Sequence, residues 1–361
     1  MAVHLSLLVP GLFGEQRFVL DKQTFSTLNI TALDRFCSRA ASTAVAADNV
    51  ITAMAGLFSM DESSKLPIAM LSHLADASDG KVEGVIENFR DDRDAIWLRA
   101  DPVHLRADRD CVVMVGGENL EISAEEARQW VADINHQFKD DGWQLEVLNN
   151  NRWYLRLDKS AAVNTTPLSD VIGHNIHDYM PHGADQKYWR SLMNEIQMLL
   201  FSSELNQSRE RDGRLTVNSV WFWGEGEQMS ASDCSWQHVY SDDALLCGLA
   251  KWHNVPCSNA PQSASQWLDG KPVDGEHLLF ASDAASCLAL GNIERWLRFV
   301  EDFDQNWLAP LLDGLSSGEI DSVTLYPLNG SSFSLSARQL RAWRLPLSIF
   351  RRKLSDLFKV E

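Results

Sequence analysis

The most unusual concentration of ionisable side chains lies between Trp97 and Asp110, where Arg99, Arg106 and Arg109 alternate with His104 and with Asp101, Asp108 and Asp110. A guanidinium presents a planar fork of donors that grips phosphate or carboxylate through parallel hydrogen bonds, and an imidazole beside it can donate or take a proton. Two readings follow. Arg99, His104, Arg106 and Arg109 form an anion site, or the arginines are paired internally with the three aspartates and lock the segment. In an extended chain, side chains two apart share a face. Arg99 then goes with Asp101, and His104 with Arg106, with Pro102 interrupting the middle.

A second group is His174, His177 and His182, interleaved with Asp170, Asp178 and Asp185. Imidazole and carboxylate ligands suit a transition metal, but this spacing matches no standard metal motif. Pro181 and Gly183 point to an ordinary polar loop. A third group runs from Leu205 to Gly226 and carries Asn206, Arg209 and Asn218 ahead of the turn Gly224-Glu225-Gly226. Gly-x-Gly without a third glycine is too short for a nucleotide fingerprint. No P-loop, H-E-x-x-H pair or EF-hand loop is present.

These groups need elements to position them. Leu5–Val9 is an apolar run ended by Pro10-Gly11, which predicts a buried strand and a turn. Thr31–Ala47 is alanine-rich and suits a helix. Ile96–Arg99 and Cys111–Val115 read as strands on either side of the polar segment. Ser123-Ala124-Glu125-Glu126 is a capping box at the start of a helix with one apolar face, and Trp143–Leu148 with Trp153–Leu157 reads as a hairpin. Asp185–Leu205 is a second helix with one apolar stripe. Trp130, Ile134, Phe138, Trp153, Leu155, Trp189, Met193 and Ile196 should form one core. The last third alternates again: strands at Val217–Trp223, His277–Ala281 and Val323–Tyr326, helices at Ala244–Trp252 and Ile293–Leu312. Arg338–Lys359 is a basic amphipathic tail that packs its apolar face or touches an acidic partner.

The chain has 361 residues, so two domains or one domain with an insertion are expected. The pattern predicts a discontinuous α/β core over residues 1–118 and 227–361, with an inserted α+β domain over 119–226. A formal charge of −18 repels nucleic acid and anionic lipid, and neither is expected as a partner. No apolar run is long enough to span a membrane, and the N-terminus lacks the basic start of a signal peptide. The six cysteines are scattered without a C-x-x-C pair, as in a cytoplasmic protein with reduced thiols.

The stretch Ser123–Gly226 resembles the inserted domain of archaeal-type cofactor-independent phosphoglycerate mutases. The shared features are the capping-box helix, the hairpin, a Pro/His region, a long helix, then Glu204-Leu205-Asn206, Arg209, Gly213, Asn218 and Gly224-Glu225-Gly226. The block Arg99–Asp110 looks like a bacterial branch of that family, some of whose members are labelled regulatory proteins. The resemblance covers the whole chain and is strongest from about 97 to about 226.

The resemblance implies an alkaline-phosphatase-like core: a mostly parallel sheet flanked by helices, two divalent metals, and a Ser or Thr that takes up the phosphoryl group. It also implies substrate between core and insertion, with Asn206, Arg209 and Asn218 lining that cleft. This sequence departs from the family at the ligand positions. The Asp-Gly turn after the first strand is replaced by Val9-Pro10-Gly11, and the Ser-bearing turn by Lys65-Leu66-Pro67-Ile68-Ala69. The Asp-x-x-x-His pattern becomes Ser282-Asp283-Ala284-Ala285-Ser286, keeping Asp283 without the His, and the Gly-Asp-His turn becomes Leu328-Asn329-Gly330-Ser331. The expectation is a degenerate relative with no metal, no cofactor and no catalytic residue. It would bind a phosphorylated or anionic small molecule through Arg99, His104, Arg106, Arg109, Asn206, Arg209 and Asn218, or act in regulation with a protein partner. The alternatives are an active metal-dependent phosphoglycerate mutase or phosphohydrolase, and a protein-interaction scaffold.

Overall fold

A computed structural model describes residues 2–14, 19–47, 49–60, 65–77, 96–108, 111–157, 162–226, 234–289, 291–342 and 353–360. Its strands in chain order are β1 (Val3–Leu8), β2 (Ala41–Ala44), β3 (Ile96–Asp108), β4 (Cys111–Gly116), β5 (Trp143–Asn149), β6 (Arg152–Leu157), β7 (Ser219–Trp223), β8 (Trp236–Tyr240), β9 (Cys257–Ser258), β10 (Gly275–Phe280), β11 (Ser322–Tyr326) and β12 (Ser331–Ser336). The chain divides into two compact units, Met1–Glu62 with Ser232–Glu361, and Ser63–Ala231. The division lies at 62/63 and 231/232, where the sequence reading placed it at 118/119 and 226/227.

The first unit is built on a seven-stranded sheet in the order β2-β12-β11-β1-β10-β8-β9. β1 pairs in parallel with β10 and β11, β8 pairs in parallel with β10 and β9, and β12 alone runs against the rest, pairing antiparallel with both β11 and β2. β1 is buried on both faces, with Val3, Leu5 and Leu7 on one and Ser6 and Leu8 on the other, as in a strand covered on both sides. Its Leu5, Leu7 and Val9 share a core with Trp296, Phe303 and Leu311 from the helices Ile293–Phe303 and Ala309–Ser317. These helices follow one another through a π-helical turn at Asp304–Leu308, close to the single helix predicted over Ile293–Leu312. The turn has a use. Helix Thr31–Cys37 has no capping side chain of its own, and the Asp304 carboxylate accepts from its Ala32 and Leu33 N–H groups at 3.3 and 2.6 Å.

Two expectations change here. The helix predicted over Thr31–Ala47 ends at Cys37, and Ala41–Ala44 is instead an exposed edge strand on β12. Of the amphipathic tail, residues 343–352 lie outside the described residues. Leu354 and Phe358 beyond them are buried in the core, with the Phe358 ring 5.3 Å from that of Phe13.

The second unit holds a five-stranded antiparallel sheet centred on β3. Arg99 lies between Tyr154 of β6 and Trp223 of β7, and Val103 lies between Ser219 of β7 and Gly116 of β4. Ala100–Pro102 therefore pair with β7 alone, and Pro102, which has no N–H, falls where no second ladder needs one. The segment expected to connect two strands is itself one 13-residue strand. The capping box forms as read: Ser123 Oγ accepts from Glu126 N at 3.2 Å, and Glu126 Oε2 accepts from Ser123 N at 2.9 Å. All eight predicted core residues, from Trp130 to Ile196, are buried. The long helix ends at Phe201 and a second begins at Glu204, so that Asn206 and Arg209 lie on a helix of their own. Among the described residues no helix is long and apolar enough to cross a membrane.

Candidate functional site

In an open α/β sheet, ligands bind outside the carboxyl ends of the parallel strands. In the first unit those ends are Val9-Pro10-Gly11 after β1, Ser241-Asp242-Asp243 after β8, Ala281-Ser282-Asp283 after β10, and Pro327-Leu328-Asn329 after β11. The turn after β1 is closed by packing. Val9 N donates to Tyr326 O at 2.9 Å, Gly11 N to Pro327 O at 3.3 Å, and the Trp296 indole to Gly11 O at 2.9 Å. Gly11 has φ +78°, and a Cβ there would meet Leu288 Cδ1 at 3.0 Å and Ala285 N at 3.1 Å. Any side chain at this position is opposed by both backbone and space.

The neighbouring carboxylates are only partly available. Asp243 accepts from Leu246 N at 2.9 Å as the cap of helix Ala244–Trp252, and Ser241 Oγ accepts from Asp243 N at 2.9 Å. Asn329 Oδ1 accepts from Ser331 N at 3.2 Å within its own turn. Asp283 is exposed at the first position of helix Asp283–Ala289. A two-metal phosphoryl-transfer centre needs gathered carboxylate and imidazole ligands. Among the described residues no group of three or more His, Cys, Asp or Glu side chains could hold a metal ion. The residues at these strand ends do not fit such a centre.

The second unit concentrates its charge in a network around β3. Arg99 and Asp101 share a face and pair bidentately, at 2.9 and 2.8 Å. Trp223 Nε1 donates to the same carboxylate at 2.7 Å, and Asp101 is wholly buried. The Arg99 guanidinium lies 4.9 Å from the Trp223 ring centroid and 5.7 Å from that of Tyr154. Arg152 grips Asp76, on helix Ile68–Asp76, through Nε at 2.8 Å and Nη2 at 2.6 Å, and Tyr154 OH donates to it at 2.5 Å. Burial pushes the Asp76 carboxyl up, but the bonds and charge of Arg152 outweigh this and hold it below its ordinary value. Burial raises the Tyr154 phenol far above its usual range, so it stays a donor. His73 Nε2 meets Glu146 Oε2 at 3.0 Å beneath the Trp97 ring. Each guanidinium is matched by a carboxylate, which is the internal salt-bridge reading and not the anion-site reading for Arg99.

The remaining predicted residues are not brought together. Arg106 is exposed on β3, and an odd residue number (99) and an even one (106) place the two arginines on opposite faces of an unbulged strand. His104 Nδ1 lies 2.9 Å from Thr216 O, and a carbonyl accepts only, so Nδ1 carries the proton. Arg109 lies outside the described residues. Asn218 continues the β7 ladder with its side chain, accepting from Leu105 N at 2.7 Å and donating to Leu105 O at 2.9 Å. Asn206 donates to Leu200 O and Val217 O, both at 2.8 Å, and accepts from Val217 N at 3.0 Å. Arg209 is 1% exposed and donates to Leu215 O at 2.6 Å, to Glu126 Oε1 at 2.9 Å and to Leu120 O. These three side chains spend their polar atoms on the protein's own backbone and on Glu126. His174, His177 and His182 are all exposed, and His174 Nδ1 meets Ile172 O at 3.1 Å.

Sequence reasoning missed Asp76, Arg152, Tyr154 and the buried Glu225, which accepts from Lys65, from Thr165 Oγ1 and, at 2.9 Å, from Thr165 N. The signal for Glu225 was its place in the Gly224-Glu225-Gly226 turn. There Gly226 packs so closely on Leu66 and Pro67 that no Cβ fits.

A family model described as 2,3-bisphosphoglycerate-independent phosphoglycerate mutase matches residues 81–206. The chain is 24% identical over 223 residues to the mutase of that description from Methanosarcina acetivorans, covering 56% of this chain and 55% of that protein. It is 29% identical over 183 residues to the one from Methanothrix thermoacetophila, covering 45% and 46%. The chain thus spans about half the length of these curated relatives. Among solved structures, the PH0037 protein from Pyrococcus horikoshii aligns over 92% of this chain and 87% of its own, with a TM-score of 0.54 at 13% identity, which is a likeness of fold. The chain is thus similar in sequence to the cofactor-independent phosphoglycerate mutases over the β3 region and the long helix, and its helix-flanked, mostly parallel sheet is similar in fold to the Pyrococcus horikoshii protein.

Proposed function

We propose that this mutase relative works without a two-metal phosphoryl-transfer centre and binds a phosphorylated or other anionic small molecule, in a regulatory role within the cytoplasm. The carrying observation is the closed turn after β1. Its carbonyl is held by Trp296, it has no side-chain donor, and the space beside Gly11 is filled by helix Asp283–Ala289. Phosphoryl transfer depends on neutralising charge as the oxygens develop it, and Asp242 and Asp283, exposed at two strand ends, supply no Lewis acid themselves.

In this reading the anion meets the open part of the predicted set. Arg106 and His104 share the face of β3 opposite Arg99, and Arg106 is exposed. The test is a thermal-shift titration with 3-phosphoglycerate and inorganic phosphate beside a coupled mutase assay with added Mn²⁺. Ligand-dependent stabilisation without turnover supports the proposal.

A second reading, an active metal-dependent mutase, is favoured by the relatives' descriptions as mutases. Mn²⁺-dependent turnover in the same assay would establish it and end the first. A scaffold would show neither stabilisation nor turnover.

A further inference from the structure

We propose that Cys247 and Cys257 form a redox-responsive dithiol that closes reversibly to an intramolecular disulfide. The fold brings them together from ten residues apart. β9, which contains Cys257, is a two-residue strand at the outer edge of the seven-stranded sheet, paired with Val239 and Tyr240 of β8. Helix Ala244–Trp252 leaves β8 through the Ser241–Asp243 turn and folds back, setting Cys247 against Cys257. The two are thiols in side-chain hydrogen-bond contact, and both are half-buried, unlike the fully buried Cys37 and Cys287.

Their surroundings differ. Cys247 Sγ lies 3.3 Å from Ser241 O, an acceptor that favours the protonated thiol. Contact with Cys247 holds the Cys257 thiol below its ordinary value, with Lys251 adding to the effect and burial, Asp242 and Asp243 opposing it. The same contact and burial push Cys247 up. Cys257 is therefore the attacking sulfur and Cys247 the resolving one. No metal role competes, because among the described residues no third His, Cys, Asp or Glu joins them as a ligand set.

With a peroxide as oxidant, the Cys257 thiolate attacks one peroxide oxygen, the O–O bond breaks, and a sulfenic acid and hydroxide form. Cys247 gives up its proton and attacks the sulfenic sulfur. The S–S bond forms, the S–O bond breaks, and the departing hydroxide leaves as water. Two thiols lose two electrons and the peroxide is reduced to two waters. The disulfide staples the edge strand to the helix whose cap, Asp243, lies at the carboxyl end of β8.

The test is a non-reducing peptide map of the whole chain after brief treatment with hydrogen peroxide and blocking of remaining thiols with N-ethylmaleimide. The expected result is a Cys247–Cys257 linked peptide that disappears on reduction. In Cys247→Ser, a sulfenic acid should persist at Cys257 and be trapped by dimedone. In Cys257→Ser, labelling of Cys247 should be at least about ten-fold slower. The wild-type map needs no variant to fold. If both cysteines carry maleimide after oxidation, or if wild-type Cys257 keeps a trappable sulfenic acid beside an unreacted Cys247, the proposal is overturned.

Discussion

The indole of Trp296 donates a 2.9 Å hydrogen bond to the carbonyl of Gly11, tying the turn after β1 to helix Ile293–Phe303. In a two-metal phosphotransferase this strand end must stay open and carry a ligand. Here it is a packed corner whose nearest atoms belong to Leu288 and Ala285. Trp296→Phe should cost about 1 kcal/mol, the net worth of one neutral hydrogen bond, and Trp296→Ala about 3–5 kcal/mol through the cavity it leaves. Urea unfolding measures both. A Trp296→Ala variant as stable as wild type would show that the corner is not closed by packing.

Arg209 spans three parts of the second unit, bonding to Leu215 O, Leu120 O and Glu126. Arg209→Ala should lower stability by about 2–4 kcal/mol, because it leaves two carbonyls without their donor and leaves Glu126 held by only Arg214 and Ser123 N. Arg209→Lys should recover only part of this, since a single ammonium cannot reach all three acceptors. Denaturant midpoints decide it. Normal stability with weakened binding of 3-phosphoglycerate would return Arg209 to the ligand site.

Glu126 gives the second unit an acid-sensitive joint. Burial pushes its carboxyl up, but hydrogen bonds from Ser123 N and Arg209 win and hold it at about 2, against an ordinary 4.5. A lowered value means the contribution is complete above about 4.5 and is lost as pH falls toward 2. Allowing for solvent screening, the loss is about 1–2 kcal/mol. Glu126→Gln should flatten stability between those pH values. An unchanged slope in that variant would assign the acid sensitivity to other carboxylates.

Asp101 is the deepest charge beside β3, and its only cationic hydrogen-bond partner among the described residues is Arg99. Asp101→Asn should cost about 3–5 kcal/mol by leaving Arg99 unpaired in a buried site. The double variant Arg99→Met, Asp101→Leu should cost less than the single, because both charges go together. A double-mutant cycle with additive losses would contradict the pairing.

How much of this was legible depended on range. The capping box and the apolar stripes of Trp130, Ile134, Trp189 and Ile196 are local patterns, and the elements formed where the periodicity put them. Strand β1 was legible as an apolar run. The segment around Pro102 was misread because a proline and seven ionisable residues suggested a connection. The ladder to β7, more than a hundred residues away, makes it a strand. Once it is a strand, the parity of 99 and 106 separates the two arginines. β2 was hidden for the same reason, since its partner β12 lies almost three hundred residues on. Asn206, Arg209 and Asn218 looked like ligand residues because their types are right for it. The sequence does not say whether a polar side chain meets a ligand or the protein's own backbone, and burial decides that.

The central proposal is a mutase-like chain without a two-metal centre, and metal content read alongside turnover tests it most directly. The protein should be purified, incubated with excess Mn²⁺, desalted, and assayed by elemental analysis and by a coupled phosphoglycerate mutase assay on the same sample. The account predicts well under one tightly held divalent ion per chain and no turnover above background. A reproducible content near two ions per chain, with Mn²⁺-dependent turnover of about 1 s⁻¹ or more, would contradict it.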